Sequence, residues 1–340
     1  MSQNGWENEF PMDKKYIRTG VIGVGYLGKY HTDKYASLDE AELVGVMDIN
    51  STRAQEVAKR YGCKAFSELS PLLEQIEAVS VVVPTVAHYE VAKACLKRGI
   101  HVLLEKPIAT SLDEAEELIA LAKEKDVILQ IGHLERFNPA VMALFPQLKN
   151  PLFIESDRLS PFPERGTDVN VVLDLMVHDL DIILAAVPAS LQEIRAVGVP
   201  VVSSNVDIAN VRLEFKSGCV ANLTASRISD KQMRKIRIFQ EDTYFSLDYV
   251  KSELNIFKRK GISISKEHLS FPKGDPLKRE IGAFLHAAKE EASPVVSGEE
   301  GLRVLEVALA INEQIKKRLK LKSLSVGQYK FICKRSLQRT

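Results

Sequence analysis

Short runs of β-branched residues alternate with stretches of helical period from Tyr16 onward. Residues 17–22, 42–48, 79–83, 100–104 and 127–131 are compact and apolar, as expected of strands covered on both faces of a parallel sheet. Residues 27–37, 52–61, 87–98 and 112–125 lie between them and carry helical patterns. This β-α-β-α rhythm predicts a doubly wound parallel sheet. After about Gly132 the rhythm changes. Helices are predicted over 139–148 and 172–186, with a strand over 153–159 between them. Strand-like runs then follow one another at 193–199, 208–215, 220–226, 233–239, 244–249 and 253–257. Turn signals such as Lys216-Ser217-Gly218 and Glu241-Asp242 separate them, so hairpins and a large, open, mostly antiparallel sheet are expected. Helices over 275–290 and 299–319 close this α+β part.

A length of 340 residues exceeds what one core usually holds, which agrees with two domains. Lys and Arg number 46 against 45 Asp and Glu, which gives no electrostatic case for nucleic acid or an anionic membrane. The longest apolar stretches fall short of a bilayer span, and no signal peptide is read at the start. Cys63, Cys95, Cys219 and Cys333 are scattered, with no close pair and no zinc spacing, and the seven histidines show no HExxH-type pattern. Reduced thiols, a cytoplasmic location and no metal are therefore expected. Faces of large sheets commonly pair, so a homodimer or homotetramer is expected as well.

Gly23-Val24-Gly25-Tyr26-Leu27-Gly28 is GxGxxG between a predicted strand and a predicted helix, the context this motif requires. Its glycines serve a tight turn, backbone approach to a pyrophosphate, and close helix–strand packing. The helix N-terminus adds free N–H donors and a positive dipole end. Asp48 closes the second predicted strand, where a carboxylate grips the ribose 2′-hydroxyl of NAD and repels the 2′-phosphate of NADP. Arg53 works against that preference, because it can pair with a phosphate. Asp48 could instead cap the next helix, although Asn50 or Ser51 is better placed to do so. NAD is thus the expected cofactor. Pro84, Thr85 and His88 follow the strand at 79–83 and are expected at the nicotinamide end; His88 reads equally well as an ordinary first-turn residue.

Lys106 follows the strand at 100–104, within Glu105-Lys106-Pro107. Ligands gather beyond the carboxyl ends of strands in open α/β sheets, and a lysine drawn from water there needs a partner or a task. The proline biases its neighbour away from helix and permits a cis bond. A second polar signal interrupts the apolar run 171–184, where Asp174, His178 and Asp181 are spaced i, i+4 and i+7 and so share a helix face. A buried imidazole between carboxylates is a candidate for general acid–base work, or for a structural network. Asp181 suits the structural role best.

GxGxxG, Glu105-Lys106-Pro107 and Asp174-x-x-x-His178, in that order, resemble the Gfo/Idh/MocA oxidoreductases over nearly all of residues 16–321. The resemblance implies an NAD(P)-binding Rossmann domain over 16–134 and a substrate-binding and oligomerisation domain over 135–325. A mobile extension over 1–15 and a tail over 326–340 complete the layout. It implies sugars, cyclitols or their derivatives as substrates, and Lys106, Asp174 and His178 as the catalytic set. Glu105 would position the lysine or touch the cofactor ribose. The segments Gly132-His133-Leu134-Glu135-Arg136-Phe137-Asn138-Pro139 and Glu155-Ser156-Asp157-Arg158-Leu159-Ser160-Pro161-Phe162, with Arg165-Gly166-Thr167-Asp168, look like the UDP-N-acetylglucosamine 3-dehydrogenase branch. Members of that branch oxidise the sugar 3-hydroxyl to a ketone, which a partner aminotransferase aminates on the way to a diamino sugar of lipid A. His133 and His178 would then meet the substrate. Arg136, Arg158 and Arg165 would either fork onto its diphosphate or pair with Glu155, Asp157, Glu164 or Asp168. Which of Lys106 and His178 is the final base stays open. Oxidation or reduction of another sugar or inositol would use the same residues. A non-catalytic dinucleotide-binding regulator is the competing class, and the presence of Lys106 and the Asp–His pair speaks against it.

Overall fold

The computed structural model describes residues 16–162, 169–290 and 292–336. The chain divides into two compact units. The first takes the chain up to Glu105, then Glu117–Gly132 and Leu277–Ser297; the second takes Lys106–Glu116, His133–Pro276 and the chain from Gly298 on. The extension expected over 1–15 lies outside the described residues.

In the first unit β1 (Ile17–Ile22), α1 (Tyr26–Tyr35), β2 (Ala41–Met47), α2 (Ser51–Tyr61), β3 (Lys64–Phe66), α3 (Leu69–Leu73), β4 (Ala78–Val81), α4 (His88–Leu96), β5 (His101–Glu105), α5 (Leu112–Glu124) and β6 (Leu129–Gly132) follow in turn. The strands form one parallel sheet in the order β3-β2-β1-β4-β5-β6, the doubly wound Rossmann arrangement. Val21, Val46, Ala78 and Leu103, one from each central strand, pack with Tyr35 and Val57 beneath the helices. The three-residue β3 escaped the sequence reading because it is too short to show a period.

α6 (Pro139–Leu144), β7 (Pro151–Leu159), a π turn over Val172–Met176, and α7 (Val177–Ala186) open the second sequence half. Seven strands follow: β8 (Leu191–Val199), β9 (Ile208–Phe215), β10 (Val220–Ser226), β11 (Met233–Gln240), β12 (Thr243–Asp248), β13 (Glu253–Lys260) and β14 (Ser263–Ser270). They join β7 in an eight-stranded sheet ordered β14-β13-β12-β11-β7-β10-β9-β8, antiparallel except for β7 with β10. Ile154, Leu213, Leu223, Ile238, Leu247 and Ile256 line its covered face against Leu180, Ile183 and Leu184 of α7. β14 was missed because its mostly polar, exposed edge sequence carries no alternation.

α8 (Pro276–Glu290) and α9 (Gly298–Ser336) end the described chain. Residues 275–290 were expected in the second domain by chain order. Instead α8 belongs to the first unit: Ile281, Phe284 and Leu285, at helical spacing, join the core of Val21 and Leu103. The chain after α8 covers the open edge of β6, where the Ile131 amide donates to the Val296 carbonyl at 3.1 Å. α9 runs on to Ser336, through residues 326–336 where a tail was expected. Residues 337–340 lie outside the described residues.

Candidate active site

The glycine loop of the first unit has the shape a pyrophosphate needs. Gly23 has φ +86°, and a side chain there would strike the Val82 carbonyl; one at Gly28 would strike the Gly23 carbonyl. A side chain on Gly25 would project into open space, which is where a phosphate approaches the backbone. α1 begins there without a side-chain cap, so its first N–H groups stay available. Tyr26 and Leu27 are exposed beside them. Asp48, 4% exposed, accepts from the Val24 amide at 2.9 Å and the Asn50 amide at 2.8 Å, and so ties the end of β2 to the loop. Asn50, not Asp48, caps α2, accepting from the Arg53 amide at 3.0 Å. The Arg53 guanidinium lies 3.3 Å from the Asp48 carboxylate. Arg53 is thus drawn to a carboxylate within its own unit. These residues fit a dinucleotide with an unphosphorylated ribose. Pro84 and Thr85 form the turn after β4, whereas His88 is buried, with its Nε2 2.9 Å from the Val83 carbonyl, and so braces that turn.

Glu105 belongs to a buried chain of polar groups that the sequence did not reveal. Its Oε1 lies 3.1 Å from His31 Nε2; His31 Nδ1 lies 3.1 Å from Ser80 Oγ, which lies 2.9 Å from the Tyr35 hydroxyl. His31 and Ser80, the inner members, are each held from two sides, which orients the imidazole that bonds the Glu105 carboxylate.

Lys106, Asp174 and His178 come together within the second unit. The Lys106–Pro107 peptide is cis. The Lys106 ammonium donates to the Asp174 main-chain carbonyl at 2.9 Å and stands 4.0 Å from its carboxylate. Asp174 sits in the π turn, whose wider coil departs from the regular helical ladder, and the Asn170 side chain accepts from the Val172 and Leu173 amides at its start. The expected Asp174–His178 hydrogen bond is not formed. His178 Nδ1 is sealed from water without a partner, which leaves Nε2 as the nitrogen open to a ligand. Burial first, then the cations Lys106 and Arg158, hold the imidazole well below the ordinary histidine pKa. It is therefore a neutral base at pH 7. His133 is buried in the neighbourhood of His178.

Of the arginines read as either diphosphate forks or partners of protein carboxylates, Arg136 and Arg158 are tied up in the protein. Arg136 forks onto Asp181 at 2.7 and 2.9 Å and reaches Glu300 at 3.0 Å. Asp181 is structural, and the stripe read across α7 divides between two tasks. Arg158 forks onto Asp179 at 2.7 and 3.1 Å and bonds Glu135 at 3.0 Å. Burial opposes the Arg158 charge, and Asp179 and Glu135 override it. Glu155 and Asp157 could not serve as its partners, because side chains alternate along β7 and Arg158 shares the covered face with Ile154 and Ser156. Glu155 instead pairs with Arg237 at 2.8 Å. Arg165 lies outside the described residues, as do Glu164 and Asp168. The helical template passed over Asp179 because it lies off the stripe, although it is buried. Arg234 and Tyr249 were also missed. Arg234 did leave a signal, since it stands in alternation with Ile236 and Ile238, at a core-facing position of β11.

Residues 17–133 match the Gfo/Idh/MocA family, an oxidoreductase family with an NAD-binding Rossmann fold. The UDP-N-acetylglucosamine 3-dehydrogenase of Acidithiobacillus ferrooxidans is 40% identical over 303 residues, 87% of this chain and 96% of that protein. The myo-inositol 2-dehydrogenase of Thermotoga maritima is 27% identical over 328 residues, 90% of this chain and 98% of that protein. A solved structure of the Acidithiobacillus enzyme superposes with a TM-score of 0.85 at 39% identity, covering 89% of this chain and 98% of that one.

Asp179→Ala strands the Arg158 charge in the covered face and should destabilise the second unit by about 3–5 kcal/mol, read by urea denaturation. A loss within experimental error would show that Glu135 alone suffices.

Proposed function

Because the chain belongs to the Gfo/Idh/MocA oxidoreductases, we propose that it oxidises the 3-hydroxyl of UDP-N-acetylglucosamine to the 3-keto sugar with NAD. The observation that carries this reading is the pairing of an uncommitted imidazole edge with a held ammonium, in a chain 40% identical to an enzyme so named. NAD, when bound, supplies the hydride acceptor. His178 takes the hydroxyl proton at Nε2 as the carbon–hydrogen bond is broken. The Lys106 ammonium donates a hydrogen bond to the same oxygen and stabilises its alkoxide character. Asp174 holds the lysine in place through its carbonyl and moderates its charge through its carboxylate. Glu105, fixed by His31, keeps the strand end beside Lys106 rigid. Asp48 accepts from the ribose hydroxyl, which favours NAD over NADP.

The same reading extends to the cell. It includes a cytoplasmic setting, where NAD is at hand and where free Cys63, Cys95 and Cys219 persist. Among the described residues no helix is long and apolar enough to cross a membrane. It also includes assembly as a homodimer or homotetramer through the uncovered sheet face. There Phe153, Phe239, Tyr244 and Phe257 stack in a row across four strands. The keto product suits an aminotransferase that forms a diamino sugar of lipid A.

The direct test is NADH formation across UDP-sugars, free sugars and inositols. A response confined to UDP-N-acetylglucosamine supports the reading; a response confined to inositol or a free sugar replaces the substrate, and no response at all favours a non-catalytic regulator. Lys106→Ala and His178→Ala should each slow turnover at least about a hundredfold, about 3 kcal/mol of barrier, with NAD still bound. Because His178 is depressed, the acid limb of kcat/KM should lie below the ordinary histidine value of 6.5, activity falling only as pH drops through that lower value. A limb at or above 6.5 contradicts the assignment. Asp48→Ala should weaken NAD and narrow its advantage over NADP by at least about tenfold, measured as the ratio of dissociation constants. An unchanged ratio removes the ribose contact.

A further inference from the structure

Arg234 stands in a row of polar side chains on the covered face of the antiparallel sheet. Across the β7–β11 pair it faces Arg158 directly. On its other side the amide of Tyr249, just past β12, donates to the Arg234 carbonyl at 3.0 Å. The Tyr249 ring lies under the Arg158 guanidinium, 5.3 Å from its centroid. Two like charges opposed on neighbouring strands repel, and such an arrangement needs anions. Arg158 has them: both oxygens of Asp179 and one of Glu135 bond to it. Arg234 does not. Among the described residues its half-buried guanidinium makes no hydrogen bond or ion pair.

Two further groups nearby lack protein partners. The Tyr249 hydroxyl is buried without a hydrogen-bond partner in a residue only 6% exposed. Burial, with Asp179 and Glu135 beside it, keeps that phenol protonated and so a donor. His178 Nδ1 is unpartnered too, but it is sealed and only the Nε2 edge of that ring is open to a ligand; the Arg234 charge is felt at the ring. Burial and the facing Arg158 both work against the Arg234 charge; Glu135 and Asp179 favour it, though these carboxylates are engaged by Arg158. Unmet donors in such a setting are costly unless a ligand meets them.

We infer that Arg234 and the Tyr249 hydroxyl form an anion subsite beside His178 that takes the diphosphate of a sugar nucleotide and selects it over uncharged sugars and cyclitols. This rests on the proposed sugar-nucleotide oxidation. The chemistry fits on three counts. A planar guanidinium matches two phosphate oxygens at once. A neutral phenol adds a donor without a charge to repel the anion. The C1 and C3 positions of a hexose flank a single ring carbon, so a hydroxyl presented to His178 carries its C1 phosphate within a few ångströms. The subsite thus replaces the arginine set expected from sequence, whose described members are bound to carboxylates of the protein.

The test is calorimetric titration of UDP, and of uridine as the phosphate-free control, into the NAD-saturated protein. Arg234→Gln should weaken UDP at least about tenfold, Tyr249→Phe severalfold, and Arg234→Lys should retain part of the affinity, with uridine unaffected by any of them. Equal melting temperatures show that the variants are folded; should Arg234→Gln fail to fold, Arg234→Lys carries the test through its intermediate affinity. The subsite is overturned if wild type does not bind UDP, if the Arg234 variants bind it as tightly, or if uridine weakens in parallel. Turnover of UDP-N-acetylglucosamine by wild type judges the underlying reading separately. Arg234-dependent UDP binding without turnover retires the oxidation and keeps the subsite. Turnover with Arg234-independent UDP binding does the reverse.

Discussion

The chemistry proposed for this chain rests on one contact, the 2.9 Å bond from the Lys106 ammonium to the Asp174 carbonyl. A lysine at the end of a buried strand has many rotamers and a strong call on water, and neither suits a group that must meet one oxygen of a substrate. Main-chain carbonyls cannot swing away as carboxylates can, so the acceptor is fixed as firmly as the helix that bears it. That helix also bears His178, four residues on. One hydrogen bond therefore sets the distance between the two groups that would share a substrate oxygen.

Burial, with charge added to it, explains why the imidazole near that lysine stays neutral. Burial and the flanking cations disfavour imidazolium, whereas the acidic groups in reach are engaged elsewhere: Asp179 and Glu135 by Arg158, Asp181 by Arg136. The result is a histidine free to accept a proton, within a shell of ion pairs whose members hold one another. Such pairs are weak sources of stability but strict about geometry, since a charge left alone in that shell is costly.

Much of this was legible in the chain itself. Periodicity located the elements of the parallel sheet because each strand is buried on both faces and each helix on one. The fingerprint glycines were legible because Gly23 and Gly28 leave no room for a side chain and Gly25 leaves its backbone open to a phosphate. The arginines were not. Whether Arg136 and Arg158 meet a ligand or a carboxylate depends on Asp181, Glu300, Asp179 and Glu135, brought to them only by the fold. Asp174 was assigned to His178 on regular helical spacing, and the π turn over Val172–Met176 breaks that spacing. The place of α8 was hidden for a related reason: its apolar face would suit either core, and only tertiary packing chooses.

The most direct measurement is single-turnover hydride transfer in the Lys106→Ala/His178→Ala double variant beside the two single variants. If both groups act on one oxygen, removing the second after the first changes little, and the double variant is about as slow as the slower single one. If the losses multiply, the ammonium and the imidazole serve separate steps, and the account of a shared oxygen is wrong.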